Sequence, residues 1–163
     1  MFENYEEVIV TMKLGEALKI RSDNYKRIEE LRARAVASAQ IQEGTAAPDS
    51  ALELVKRIED LVVKTQSLVQ RVNRTNVNVR LNNGQTVADA IVERDHYLLL
   101  RGNIEAVAHA ASEPQQRYMR SEIRVVRTID PVELRKTADE LSRQHRELDV
   151  VIQEANWAND LVE

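Results

Sequence analysis

The chain has 163 residues, of which 43% are hydrophobic and 31% charged, and its formal net charge is -4. Aromatic residues make up only 4%, so the core must be built from Leu, Val, Ile and Ala, as is typical of helical proteins. The absence of cysteine excludes disulfides, thiolate metal sites and cysteine nucleophiles. The mildly acidic charge argues against a nucleic-acid partner, because nucleic-acid-binding domains usually carry a basic excess.

The sequence predicts a cytoplasmic protein with no membrane span. Its apolar runs fall well short of the roughly 18 residues that a membrane helix needs. The first seven residues include three glutamates, where a signal peptide would carry positive charge. We interpret residues 1–11 as an N-terminal extension, with translation starting at Met12, and residues 12–163 as a single helical domain.

Two helices are predicted in the first half of the chain, over residues 13–41 and 50–76. The core side of the first is assigned to residues at helical spacing: Leu14, Leu18, Tyr25, Ile28, Leu31, Ala35 and Ala39. The second helix carries two adjacent apolar stripes. One stripe comprises Ala51, Val55, Ile58, Val62, Thr65, Val69, Val72, Asn76 and Val79, and the other comprises Leu54, Leu61 and Leu68. A helix with two apolar stripes packs against two neighbours, which favours a bundle, a coiled coil or an oligomer.

The end of the second helix is rich in asparagine. Asn73 and Asn76 fall on or beside the apolar stripe, where an asparagine costs stability but fixes helix register and partner number. A ligand site is the alternative interpretation. The following stretch, 81–87, is typical of a tight turn in which Gly84 takes a positive φ and Thr86 caps the next helix.

A third helix is predicted over residues 87–112. Its expected core positions are Val87, Ile91, Leu98, Leu99, Ile104, Val107 and Ala111. No lysine occurs between Lys64 and Lys136, and arginine suits bidentate, partly buried carboxylate pairs or anion binding. We expect one partly buried hydrogen-bonded cluster near the turn, formed by Asn73, Asn76, Arg94 and Asp95.

The segment 117–128 is the least helical part of the chain, because its β-branched residues alternate with polar ones. It is predicted as a strand that pairs with the 79–87 turn, giving a small β-hairpin or short sheet at one end of the helices. Its Arg117, Tyr118, Arg120 and Glu122 extend the polar cluster as a candidate ligand site. An enzyme or binding protein for anions or nucleotides would use this arginine-rich end.

The last helix is the most clearly signalled element. The helix start is signalled by Asp130, Pro131 and Glu133. Asp130 can accept hydrogen bonds from the first-turn amides, and the Glu133 side chain can complete a capping box with Asp130. The apolar stripe that follows predicts a helix of about thirty residues within 130–163. Near its end, Asn156 and Trp157 are predicted to anchor the helix, with the Trp157 ring packed against helix one or the 79–87 region.

Metal and catalytic motifs are weak. Glu93 and His96 have the Glu-x-x-His spacing of di-iron helical bundles, but the second copy that such a site needs is missing. We therefore predict no metal, no cofactor and no catalytic residue, with Glu93 and His96 as the only weak metal candidates.

Four segments resemble a small, largely uncharacterised bacterial family of helical proteins often labelled septicolysin. They are Met12–Leu18, Asn73–Asn76, Arg120–Ile123 and Ile152–Trp157, and the resemblance spans nearly everything from Met12 to Trp157. The label implies a pore-forming, membrane-active protein, and the family supplies no catalytic residue. The residues themselves favour a non-enzymatic, self-assembling, scaffold-like homo-oligomer whose small-molecule ligand, if any, is unknown. Pore formation and an anion-binding or metal-dependent enzyme are the alternatives.

Overall fold

The computed structural model describes residues 11–47, 49–113 and 126–163. It contains four α-helices: α1 Leu14–Ala37, α2 Ala51–Asn78, α3 Val87–Ser112 and α4 Pro131–Ala158. The prediction of an all-α chain of long antiparallel helices is confirmed. Residues 1–10 and most of the predicted strand lie outside the described residues, and its described part, 126–128, is not in a strand.

Side chains cap the starts of α3 and α4, as the sequence predicts. Thr86 Oγ1 accepts from the Asp89 amide at 3.1 Å, and Asp130 Oδ1 accepts from the Val132 amide at 2.9 Å. Gly84 has φ 84°, as the turn requires. The Glu133 carboxylate pairs with Lys136 at 2.8 Å through Oε1, and its role in the cap stays a prediction.

The described residues group into two compact units. The first contains α1, α2 and residues 154–163, and the second contains residues 81–153. In the first unit, α1 and α2 form an antiparallel hairpin. One core cluster joins Leu31, Ala35 and Leu54. The other joins Leu14, Ala17, Leu68, Val72 and Leu161.

The 28 residues of α4 agree with the predicted helix of about thirty residues. Residues 159–163, called the C-terminal segment below, leave α4 and cross the hairpin. The Leu14 amide donates to Asn159 O at 3.0 Å and the Leu161 amide to Met12 O at 2.8 Å. On the α2 side, the Val162 amide donates to Thr75 Oγ1 at 3.0 Å. These bonds satisfy backbone groups that α1 and α4 would otherwise leave open at their ends.

In the second unit, α3 lies antiparallel to the part of α4 that precedes Glu154. At one end Arg135 donates to Ser112 Oγ at 2.9 Å, and further along Arg94 reaches Asp149 at 3.0 Å. The buried apolar residues in the described part of this unit are Leu81, Val87, Ala90, Ala108, Ala138, Leu141 and Ile152. Three of these seven residues are alanines, so part of the core of this unit consists of small side chains.

Several predicted core positions are exposed. Tyr25, Val55 and Val62 in the first unit are exposed to 53%, 42% and 45%. In α3 the same holds for Leu98, Leu99 and Val107. The assignments fail because a helix with one neighbour buries one stripe and leaves its second stripe in solvent.

Two helical glycines provide a matched pair of substitutions. A Cβ at Gly102 would meet nothing within 4 Å, so Gly102→Ala is expected to raise the free energy of unfolding by about 0.5–1 kcal/mol. A Cβ at Gly15 would lie 2.8 Å from Cδ2 of Trp157, so Gly15→Ala should instead lower it by about 1–3 kcal/mol. Chemical denaturation followed by circular dichroism measures both. Equal stabilisation by the two alanines would show that the Trp157 contact does not constrain α1.

Candidate functional site

The first candidate site is the exposed side of the α1–α2 hairpin, called the hairpin face below. It contains Tyr25 and Ile28 on α1, and Val55, Val62 and Val69 on α2, of which Tyr25, Val55 and Val62 are exposed and Ile28 and Val69 are half-buried. The three valines recur every seven residues, which keeps them on one stripe of the helix. Leu54 and Leu68 of the other α2 stripe are buried, and so are Thr65 and Val72, which belong to the same stripe as the valines but lie on its core side.

A groove of about 290 Å³ opens in the middle of the hairpin face. Its walls are Tyr25, Ile28, Val62, Thr65, Gln66, Val69 and Gln70. The floor is fixed by Asn24, which donates to Thr65 Oγ1 at 3.0 Å, while the Thr65 hydroxyl donates to Leu61 O at 2.7 Å. All seven lining side chains are uncharged, although 31% of the chain is charged.

The second candidate site is a groove of about 280 Å³ in the other unit, called the Glu93 groove below. Gln144, Glu147, Leu148 and Val151 of α4 face Glu93 and Tyr97 of α3, with Asn83 and Gln85 of the turn at one end. The i, i+4 spacing of Glu93 and Tyr97 places both on one face of α3. The groove therefore combines an aromatic ring and two aliphatic side chains with carboxylate and amide groups.

A chain of hydrogen bonds orients the Glu93 carboxylate. The positive φ of Gly84 closes the turn, where Asn83 Oδ1 accepts from the Gln85 amide at 3.0 Å. Gln85 Nε2 then donates to one Glu93 oxygen at 2.8 Å, and the Tyr97 hydroxyl donates to the other. The hydrogen bond from Tyr97, and to a lesser extent that from Gln85, holds the pKa of Glu93 below its usual range. The same contact with Glu93 raises the pKa of Tyr97. Glu93 is thus anionic at neutral pH.

The predicted polar cluster falls on both units. Asn73 is exposed on α2, and Asn76 is partly buried, with an Oδ1 that accepts no hydrogen bond within the described residues. In the second unit, Arg94 donates to Asp95 at 2.8 Å and to Asp149 at 3.0 Å. The joint cluster of four residues stays a prediction. Arg117, Tyr118, Arg120 and Glu122 lie outside the described residues.

The two residues predicted to anchor the end of α4 differ in environment. Asn156 is 3% exposed, and its Oδ1 has no hydrogen-bond partner in the described part of the chain. The Trp157 ring lies against Gly15 at the start of α1, while 55% of the residue is exposed. The anchoring role itself stays a prediction.

The two weak metal candidates, Glu93 and His96, differ in their surroundings. Glu93 is engaged by Tyr97 and Gln85, whereas His96 is exposed. Within residues 11–47, 49–113 and 126–163, no group of three His, Cys, Asp or Glu side chains could hold a metal ion.

Sequence reasoning missed Thr75, Tyr97, Gln85 and Asp149. Thr75 follows Leu68 and Val72 at core spacing, and its hydroxyl bonds Arg71 O at 2.8 Å, as threonines within helices often do. The Glu93–Tyr97 spacing was equally visible. Gln85 and Asp149 carried no local signal, because their roles depend on partners elsewhere in the chain.

Comparison with known families gives one decisive match. Residues 21–161 match a family of unknown function, DUF6847. The chain belongs to the DUF6847 family.

A solved structure supports the fold of this DUF6847 member. It is the crystal structure of a functionally unknown conserved protein from Corynebacterium diphtheriae, 38% identical, with a TM-score of 0.85. The match covers 93% of this chain and 99% of that one. A comparison with curated proteins gives no match. The predicted resemblance to an uncharacterised bacterial helical family is thus supported, while neither match carries the septicolysin name.

None of the described helices is long and apolar enough to cross a membrane. The most apolar helix, α3, is interrupted by charged residues such as Arg94, Asp95 and Arg101.

Proposed function

We propose that this DUF6847 protein is a non-enzymatic, cytoplasmic scaffold that assembles with itself through the hairpin face. The observation that carries the proposal is a row of three valines on α2. Val55, Val62 and Val69 keep heptad spacing but are left out of the core that Leu54, Leu68 and Val72 form with α1. Such a stripe is typical of a helix that packs against two neighbours.

The size of the hairpin face suits a second copy of the chain. The 24 residues of α1 give a length of about 36 Å at about 1.5 Å per residue. Two helices packed about 10 Å apart present a face about 20 Å wide, hence about 700 Å². Stable protein interfaces bury about 800 Å² per partner. The hairpin of one copy laid on that of another therefore approaches the area that a stable dimer needs.

The charge distribution on the hairpin face also favours a second copy of the chain as its partner. In a two-fold symmetric dimer the residues next to the symmetry axis lie near their own equivalents, so like charges at the centre of the contact would repel. The groove at the centre of the hairpin face has only uncharged walls. Tyr25 on its rim offers a large apolar ring that can enter the groove of a partner, and Gln66 and Gln70 can hydrogen-bond across the contact.

Site-specific spin labelling tests the location of the contact. Because the chain has no cysteine, Gln66→Cys and Ser67→Cys each give one nitroxide site on α2. Gln66 lines the groove, whereas Ser67 is exposed one residue further along, on another side of the helix. We expect the electron paramagnetic resonance spectrum to show immobilisation at position 66, but not at 67, as protein concentration rises. Equal mobility at both positions over all concentrations would contradict the proposal.

A further inference from the structure

We propose that the Glu93 groove binds an alkylguanidinium group, a ligand class independent of the proposed self-assembly. The proposal rests on the conjunction of a fixed carboxylate, an aromatic ring and an aliphatic wall in one groove.

The Glu93 charge has no cationic partner among the described residues, although both its oxygens are held in place. Several other carboxylates of this unit do have an arginine partner: Asp95 and Asp149 pair with Arg94, Glu105 with Arg101, and Glu140 and Glu147 with Arg143. Glu93 receives hydrogen bonds only from the neutral Tyr97 and Gln85. A carboxylate oxygen can accept more than one hydrogen bond, so each Glu93 oxygen retains acceptor capacity for a ligand.

The remaining groups that face the groove are mostly acceptors or apolar. Gln144 donates its amide to Glu140 at 3.0 Å, which leaves its carbonyl oxygen as an acceptor. Glu147 adds a second carboxylate, which pairs with Arg143 at 2.7 Å, so that the Arg143 guanidinium is already committed to Glu140 and Glu147. Leu148 and Val151 supply the aliphatic wall. An anionic ligand would find no free cation among these groups.

Guanidinium fits this arrangement better than ammonium or a metal ion. Its planar fork of N–H donors matches a carboxylate, and its flat face stacks on an aromatic ring such as that of Tyr97. A metal site would need three or more ligating side chains together, and no such group occurs in the described ranges. The volume of about 280 Å³ lies at the small end of ligand pockets, which suits a side-chain-sized group.

Nuclear magnetic resonance titration of the intact chain tests the site with n-butylguanidinium as the probe. We expect chemical-shift changes at the Gln85 side-chain amide and around Tyr97, and none with n-butylurea, which has the same shape but no charge. An N-acetylated, C-amidated tripeptide with a central arginine forms a second arm. Tighter binding of the peptide indicates an arginine side chain as the source, and tighter binding of butylguanidinium indicates a free small molecule.

Two variants distinguish binding in the Glu93 groove from a general effect of the charge of the protein. Glu93→Gln keeps the shape of the side chain and removes its charge, and we expect it to weaken butylguanidinium binding about tenfold or more. Glu105→Gln, on the same helix but outside the groove, should bind like the unmodified chain. Absence of shifts in the unmodified chain, equal shifts with butylurea, or unchanged binding by Glu93→Gln would each overturn the proposal. None of these results depends on the oligomeric state.

Discussion

Replacing Leu161 with alanine is expected to lower the free energy of unfolding by about 2–4 kcal/mol. Leu161 is 6% exposed and belongs to the core cluster that also contains Leu14, Leu68 and Val72. Its truncation leaves a cavity where the C-terminal segment meets both helices of the hairpin, and that segment is too short to re-pack as a helix. Chemical denaturation of the full chain measures the change.

Val162→Ala is the matched control, because Val162 is the next residue and is 40% exposed. Its side chain contributes less burial, while its backbone still bonds Thr75 and accepts from Arg71 at 3.2 Å. We expect Val162→Ala to lower the free energy of unfolding by less than about 1 kcal/mol. Similar small losses for both variants would mean that the C-terminal segment is not part of the stable core.

We expect the second large effect from Val62→Asp, which should weaken assembly and leave folding unchanged. Val62 is 45% exposed and lines the groove of the hairpin face, so a carboxylate there remains hydrated in the monomer. In a symmetric dimer the same substitution buries two like charges without cationic partners, which is strongly unfavourable. We expect the dissociation constant of the dimer to rise about 100-fold or more, equivalent to about 3 kcal/mol.

Ser67→Asp introduces the same charge on another side of α2 and serves as the control. Ser67 is exposed and does not line the groove, so this variant should assemble like the unmodified chain. Circular dichroism should show unchanged helix content in both variants. If the two substitutions shift assembly equally, net charge and not the hairpin face controls self-association.

Helix existence and starts could be predicted from the sequence because their signals are local. The bounds of α3 agree with the prediction because Thr86 and Asp89 form a cap within four residues. The end of α1 could not be placed: the predicted core residue Ala39 lies beyond Ala37, where the helix ends. Nothing in the alanine-rich sequence near that end marks a stop.

The choice between the two apolar stripes of α2 could not be made from the sequence. Both have helical spacing, and only the position of α1 decides that Leu54 and Leu68 are buried while Val55 and Val62 are exposed. The same limit applies to Trp157. Its neighbour Gly15 is 142 positions away in the chain, and a glycine gives no side-chain signal for the ring that lies on it.

The two candidate sites show what spacing can and cannot indicate. Glu93 was singled out for its spacing to His96, which suggested a metal. The structure instead joins it to Tyr97 one helical turn away and to Gln85 across the turn. Glu93 was only a weak metal candidate in the sequence, and the hydrogen-bond partners that the tertiary structure supplies are the basis for proposing an organic cation as its ligand.

Sedimentation equilibrium of the unmodified chain tests self-assembly most directly. One chain has a mass of 18.6 kDa. We expect a weight-average mass that rises with concentration toward a multiple of this value, and that stays near the monomer value for Val62→Asp over the same range. A strictly monomeric mass for the unmodified chain at every concentration would contradict assembly through the hairpin face.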